Sequence, residues 1–259
     1  MTRVVVHAGF HKTGTTSAQA FLRQNGEVLW PVMALGLGYK FRPALSAARG
    51  YSTWRDPFTL EKFRRRVETY LAELGLGRRD LLISSEELCG HLPGRGEIAD
   101  YAAAPALMRE IEAAVKDHLP GCDLHFVFTL RRAETWWPSA YWEHVKSARM
   151  TLDYAAFLAR YGALDLAAAA RSIDVSAPVH LHWLEDIAGM VEGPAAPLLD
   201  LMDLAPARRA ALSPVPPQNR SPEARADLIQ AFLRLNRSDL ETEALVAAKK
   251  ALLDAAESA

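Results

Sequence analysis

The residues that could do chemistry are concentrated near the start of the chain, in residues 9–17, which hold one lysine and several hydroxyls. The β-branched residues 4–6 before this segment predict a strand, and a helical pattern begins near Gly14. A strand, a tight loop and a helix start bring backbone N–H groups and the positive end of a helix dipole to one point. The order therefore predicts an anion site, most naturally for a phosphate.

The position of the lysine distinguishes this loop from the common nucleotide-triphosphate loop. Gly9 and Gly14 have the spacing of the first part of G-x-x-x-x-G-K-[ST]. Thr15 stands where that motif has its lysine, and Lys12 lies inside the loop instead. An ordinary strand-to-helix turn, with a threonine N-cap and an exposed lysine, is the simpler alternative.

Residues 9–17, GFHKTGTTS, closely resemble the 5′-phosphosulfate loop of sulfotransferases that use 3′-phosphoadenylyl sulfate, particularly bacterial and carbohydrate-type members. The resemblance implies that Lys12 contacts the oxygen that bridges phosphorus and sulfur. It also implies that the residues after it bind the donor: Thr13, Gly14, Thr15, Thr16 and Ser17. Cytosolic members often carry an adenine-stacking tryptophan where this chain has Ser17, so adenine contact must come from elsewhere.

A second candidate anion element follows the strong strand pattern of residues 124–130. Arg131 comes directly after that predicted strand, and Ser139 lies eight residues later in a predicted helix. A guanidinium offers phosphate oxygens a planar fork, and a serine adds a neutral donor. The pair resembles the 3′-phosphate element of the same sulfotransferases, which implies that Arg131 and Ser139 bind the 3′ phosphate. The alternative is an ordinary helix N-terminus; Arg132 is predicted to point outward or to pair with Glu134.

Sulfuryl transfer to a hydroxyl requires a base, and Glu86 is the first candidate. Just after a short predicted strand, Ser84 and Glu87 match the capping box S-x-x-E and leave Glu86 free. By resemblance, Glu86 stands where family members carry a catalytic histidine or glutamate. It could instead only complement a helix dipole, which would favour its charged form and weaken it as a base. His91 and His11 are the alternative bases.

Strands that alternate with helices predict an α/β fold with a central parallel sheet flanked by helices, a three-layer arrangement like that of P-loop proteins. Ligands of such sheets bind beyond the carboxyl ends of the strands, which is where these residues lie. We predict a single domain over residues 1–259. Helices are predicted at about 57–74, 105–118, 133–148, 152–171, 222–235 and 239–257, and strands also at 81–83 and 179–183.

Two further segments carry functional hypotheses. Residues 30–55 contain several glycine and proline breakers and are predicted to form an irregular connection, a candidate lid over an acceptor. Residues 217–221 resemble an Asn/Ser stretch before the last helices of bacterial sulfotransferases, which implies that Asn219 or Arg220 touches the nucleotide.

The composition limits partners and location. The chain has 259 residues, 50% hydrophobic and 24% charged, with a formal net charge of −1. Overall charge therefore gives no argument for nucleic acid or an anionic membrane. Cys89 and Cys122 have neither metal-binding nor redox spacing. No segment approaches the roughly 20 apolar residues that a membrane span requires, and the N-terminus lacks a signal-peptide pattern, so we predict a cytoplasmic protein.

Together the resemblances of the two anion elements imply a sulfotransferase. It would move a sulfuryl group from 3′-phosphoadenylyl sulfate to a hydroxyl or amine of a small-molecule or carbohydrate acceptor, and release adenosine 3′,5′-bisphosphate. Lys12 and Glu86 are the predicted catalytic residues, and no metal is required. A P-loop nucleotide kinase or NTPase is the first alternative, although Gly14 is not followed by lysine. A nucleotide-binding module without chemistry is the second. The acceptor and the oligomeric state stay open.

Overall fold

The fold is built on one five-stranded sheet, seen in a computed structural model that describes residues 1–37, 39–215 and 226–257. The strands are β1 Arg3–His7, β2 Met33–Gly36, β3 Asp80–Ser84, β4 Asp123–Leu130 and β5 Val179–Trp183. All the strand pairs are parallel, and the order across the sheet is β2-β3-β1-β4-β5. The predicted α/β architecture with a central parallel sheet flanked by helices is therefore confirmed.

Helices cover both faces of the sheet because the central strands β1, β3 and β4 are largely buried on both sides. Val4 and Val6 of β1 face one cluster of buried side chains, and Val5 faces the other, as the two-residue period of a strand requires. The helices are α1 Thr15–Gln24, α2 Gly26–Leu29, α3 Arg42–Trp54, α4 Pro57–Glu73, α5 Ala104–His118, α6 Ala133–Ser147, α7 Tyr154–Tyr161, α8 Leu166–Arg171, α9 Leu184–Ile187, α10 Ala196–Leu201, α11 Pro206–Ala210, α12 Ala226–Asn236 and α13 Thr242–Glu257. The cluster that contains Val4 and Val6 includes residues of α3–α8 and α12, and the cluster that contains Val5 includes residues of α1, α2 and α10.

The prediction of an irregular connection over residues 30–55 is wrong. That segment contains strand β2 and helix α3, separated by a short 3₁₀ turn. Pro43 lies in the first turn of α3, where proline is tolerated, and a side chain at Gly50 would meet open space, so neither residue breaks the helix. The buried residues of α3 recur at helical spacing: Ala44, Ala47, Ala48 and Tyr51. A fixed helix, rather than a loose lid, therefore faces the sheet here.

Two remaining observations complete the fold. Residues 217–221, with Asn219 and Arg220, lie outside the described residues, so the hypothesis about them stays a prediction. Among the described residues, no helix has both the length and the apolar character needed to cross a bilayer.

Candidate functional site

The predicted site residues gather at the carboxyl edge of the sheet, where β1 lies between β3 and β4. A cavity of about 1350 Å³ opens there. Its lining contains eight of the nine residues predicted for the site: Lys12, Gly14, Thr15, Thr16, Ser17, Glu86, Arg131 and Ser139. The ninth, Thr13, belongs to the same loop but is fully buried. Residues that are far apart in the chain are thus brought to one cavity, at the edge where ligands of open α/β sheets bind.

The lysine-bearing loop is held in place through three consecutive carbonyl groups. The Thr13 hydroxyl donates to the carbonyl of Phe10 at 2.5 Å, and Trp136 Nε1 donates to the carbonyl of His11 at 2.8 Å. Arg131 Nη1 donates to the carbonyl of Lys12 at 3.1 Å. Because each of these carbonyl oxygens already accepts a hydrogen bond within the protein, its partial negative charge is screened from an anion bound in the loop. Lys12 itself has a φ of 65°, a left-handed conformation that costs about 1–2 kcal/mol for a residue other than glycine.

The start of α1 contains a buried hydroxyl that has no hydrogen-bond partner among the described residues. Gly14 is the N-cap residue, with a φ of 96°, and has no side chain to cap the helix. An added Cβ would lie 2.7 Å from Leu184 Cδ1 and 3.0 Å from a side-chain carbon of Pro194, so glycine is required. Thr15 is only 3% exposed, and its hydroxyl has no hydrogen-bond partner among the described residues. A buried, unsatisfied hydroxyl at a helix N-terminus is a site that an anion would satisfy.

The second anion element is fixed by the segment after β5. Arg131 follows β4, is half-buried, and directs Nε to the Thr135 hydroxyl at 3.1 Å. Glu185 Oε1 accepts from the Thr135 hydroxyl and from the Arg132 backbone N–H, both at 3.0 Å, and thereby caps α6. Burial lowers the pKa of Arg131, but an arginine remains charged at neutral pH. Ser139 lies on α6 and also lines the cavity, while the Arg132 side chain is exposed, as predicted.

Glu86 reaches the cavity, but the predicted capping box around it is wrong. Ser84 is the last residue of β3, and its hydroxyl lies 2.8 Å from His7 Nδ1. The N-cap of the short 3₁₀ helix Glu86–Cys89 is Ser85, and Glu87 forms an ion pair with Arg49. The error arises because the helix begins one residue later than the pattern implied.

The electrostatic environment of Glu86 favours its use as a base. Burial raises the pKa of the Glu86 carboxyl, and the neighbouring charge of Glu87 adds to the rise. The backbone N–H of Glu86 and the Lys12 ammonium act in the opposite direction, but the net shift of the pKa is upward. A carboxylate with a raised pKa accepts a proton more readily than an ordinary surface glutamate.

The two alternative bases, His11 and His91, both have a lowered pKa. His11 Nδ1 lies 3.1 Å from the Tyr101 hydroxyl, and burial, with the charges of His91 and His144, lowers the pKa of His11 to about 3. Burial and Arg95 lower the pKa of His91 to about 4. Both rings line the cavity and are neutral at pH 7, but they hold a proton more weakly than free histidine.

Glu143 is a charged cavity residue that the sequence did not indicate. Its Oε2 lies 2.9 Å from Lys12 Nζ and 3.0 Å from Lys146 Nζ. Glu143 follows Ser139 by four residues on α6, and residues four apart share a helix face. The four-residue spacing from Ser139 is the sequence feature that could have placed Glu143 in the site. The pairing with Lys12 was not readable, because it joins residues 131 positions apart.

Four aromatic residues of α6 are buried: Trp136, Trp137, Tyr141 and Trp142. Of these four, Trp142 also lines the cavity. Further apolar side chains of the lining come from α1 and from the connection after β5: Phe21, Leu184, Met190, Val191 and Pro194.

No group of three or more His, Cys, Asp or Glu side chains within the described ranges is arranged to hold a metal ion. Comparisons with protein-family models, with curated proteins and with solved structures gave no match.

Proposed function

We propose that this chain is a sulfotransferase that moves a sulfuryl group from 3′-phosphoadenylyl sulfate to a hydroxyl or amine. The observation that carries the proposal is that Lys12 and Arg131, the centres of two separate anion elements, line the same cavity together with Glu86 and Ser139. A single ligand with two separated anionic groups matches that arrangement. The unsatisfied hydroxyl of Thr15 supports the same conclusion for the loop end.

Each end of the ligand would meet its own set of donors. The first turn of α1, with Thr15 and Thr16, would bind the 5′ phosphosulfate, and the Lys12 ammonium would neutralise charge that develops on the leaving oxygen. Arg131 and Ser139 would bind the 3′ phosphate through charge-assisted and neutral hydrogen bonds. The apolar side chains after β5, Leu184 and Pro194 among them, offer a wall for the adenine.

The donor supplies an activated sulfuryl group, whose transfer forms a bond from sulfur to the acceptor oxygen or nitrogen and breaks the bond to the bridging oxygen, releasing adenosine 3′,5′-bisphosphate. Glu86 would accept the proton that the acceptor loses. Since the chain supplies no covalent chemistry in this scheme, positioning and electrostatic stabilisation would account for most of the rate enhancement.

The acceptor end of the cavity is polar and ionic, with Glu86, His91, Arg49, Arg95 and Lys146 in its lining. Such a lining suits a small polar molecule or a carbohydrate better than an apolar phenol. We propose this acceptor class, a cytoplasmic location, and no role for nucleic acid.

The direct test measures transfer of the sulfuryl group from the donor to an acceptor. Donor labelled with radioactive sulfur is incubated with the protein and a panel of polar hydroxyl and amine acceptors, with a water-only arm that detects slow hydrolysis. The proposal predicts label transfer and equimolar release of adenosine 3′,5′-bisphosphate. Transfer of the γ-phosphate of ATP to the same acceptors, without sulfuryl transfer, would instead identify a kinase.

A further inference from the structure

The Lys12 ammonium is held by a carboxylate that itself lines the cavity proposed to bind an anion. Glu143 Oε2 bridges Lys12 Nζ at 2.9 Å and Lys146 Nζ at 3.0 Å, so one oxygen is shared by two cations. The side chains of Lys12 and Glu143 are 23% and 28% exposed, so the pair is largely shielded from water. All three groups line the cavity.

A carboxylate at this position opposes anion binding. Burial alone would raise the pKa of Glu143, but Lys12 and Lys146 bring it down to about 2, so the group is negative at every working pH. A phosphate or phosphosulfate entering the cavity is repelled by this charge and competes with it for Lys12. A residue with these properties does not help to attract the ligand directly.

We infer that Glu143 is a positioning residue, which holds the Lys12 ammonium until an anionic ligand takes the ammonium from it. The inference rests on the proposed anion-binding role of Lys12. Glu143 acts through Lys12 and has no role of its own in bond making.

Because of the surrounding contacts, only the Lys12 side chain has to move when the ligand replaces Glu143 as its partner. The backbone of Lys12 is fixed by the bond from Arg131 to its carbonyl, so the loop stays in place when the ammonium moves. Lys146 lies three residues after Glu143 on α6 and keeps its contact with the carboxylate. Glu143 therefore retains one cation when Lys12 leaves, and no buried charge is left unpaired.

Glu143 and the anionic ligand compete for Lys12, so removal of the Glu143 charge should tighten anion binding. If only a fraction of the molecules is in the binding-competent state, the apparent affinity equals the intrinsic affinity multiplied by that fraction. If Lys12 is paired with Glu143 for about nine-tenths of the time, Glu143→Gln tightens anion binding about tenfold. The gain requires Lys12, and it is absent when Lys12 is already Met.

The experiment is a double-mutant cycle read by calorimetry with two probes, adenosine 3′,5′-bisphosphate and inorganic pyrophosphate. Glu143→Gln is compared with wild type, with Lys12→Met, and with the double variant. Glu143→Ala is a second neutral variant that helices tolerate well, and thermal melts confirm that each variant is folded. Glu134→Gln removes an exposed carboxylate from the same helix outside the cavity and is the matched control.

The expected result is tighter binding of at least one probe by Glu143→Gln and Glu143→Ala, with no gain in the Lys12→Met background or in Glu134→Gln. Unchanged or weaker binding in the folded neutral variants would overturn the inference. A gain that persists without Lys12, or that Glu134→Gln also shows, would overturn it as well. Because pyrophosphate reports on the loop without a nucleoside or sulfuryl transfer, this result can fail or succeed independently of the proposed reaction.

Discussion

Arg131 donates a hydrogen bond from Nη1 to the backbone carbonyl of Lys12, across 3.1 Å. This bond joins the segment after β4 to the loop after β1, so the two elements proposed for opposite ends of one nucleotide are in direct contact. The arginine has a second bond, from Nε to Thr135. Its guanidinium is therefore oriented before any ligand arrives, which reduces the entropy lost on binding.

Substitution of Arg131 by lysine tests the proposed 3′-phosphate site. Lysine keeps the charge but loses the planar fork and the bond to the Lys12 carbonyl, so binding of adenosine 3′,5′-bisphosphate should weaken by about tenfold, for the loss of one charge-assisted bond. Binding of adenosine 5′-monophosphate should weaken much less, since it has no 3′ phosphate. Calorimetry on both ligands measures the difference. Arg132→Lys, at the exposed neighbouring position, is the matched control and should change neither affinity.

Removal of the Lys12 ammonium tests its proposed catalytic role. Lys12→Ala should lower turnover by about 10²–10³-fold, the range for losing one preorganised group that stabilises developing charge. Turnover is measured with the labelled donor at saturation. Lys62→Ala removes an exposed lysine on α4 away from the cavity and should leave turnover unchanged. An equal loss in both variants, or none in Lys12→Ala, would remove Lys12 from the mechanism.

The pH dependence of the rate tests Glu86 as the base. A base must be unprotonated, so kcat/KM should rise with pH through an apparent pKa above that of an ordinary glutamate, because burial raises the pKa of Glu86. Glu86→Gln should lower the rate by about 10²–10⁴-fold and abolish this rise. His91→Asn should retain it. If His91→Asn, rather than Glu86→Gln, removes the pH-dependent limb, the histidine is the base.

The buried histidine of β1 should make the protein sensitive to acid. His7 Nδ1 lies 2.8 Å from the Ser84 hydroxyl, and Nε2 lies 3.0 Å from the Thr129 hydroxyl, so the ring links β3, β1 and β4. Burial, with the charge of His182, lowers the pKa of His7 to about 4 from the model-peptide value of 6.5. Between these values the unfolded chain binds more protons, so the free energy of unfolding should fall as the pH falls.

The contribution of His7 to that loss is about 3 kcal/mol between pH 6.5 and 4, at 1.36 kcal/mol for each pH unit between the two pKa values. Denaturant unfolding at several pH values measures it. His7→Gln should be less stable at neutral pH but should lose less stability on acidification. His118→Gln, on the surface of α5, should follow the wild-type curve; identical slopes for wild type and His7→Gln would contradict the assignment.

The parts of the site that lie in short contiguous motifs could be predicted from the sequence. Lys12 and Gly14 are fixed by a strand, a glycine-containing loop and a helix start within a few residues. Arg131 directly follows a strand whose apolar pattern is strong. Because parallel strands end at one edge of the sheet, sequence order alone predicted that these residues would lie near each other.

The parts that depend on distant partners could not be predicted. Glu143 and Glu185 acquire their roles from contacts with Lys12 and Arg132, which are 131 and 53 positions away. Strand β2 has four residues and ends in glycine, and it exists because it pairs with β3. Local patterns carry no information on such pairings, since tertiary contacts decide them.

The most direct test of the central claim is a calorimetric comparison of adenosine 3′,5′-bisphosphate, adenosine 5′-monophosphate and ATP with magnesium. If the Lys12 loop and Arg131 bind the two ends of one nucleotide, the bisphosphate binds most tightly. At 100 times its dissociation constant it should also raise the free energy of unfolding by about 2.7 kcal/mol. Equal affinity for all three ligands, or a preference for ATP with magnesium, would contradict the claim.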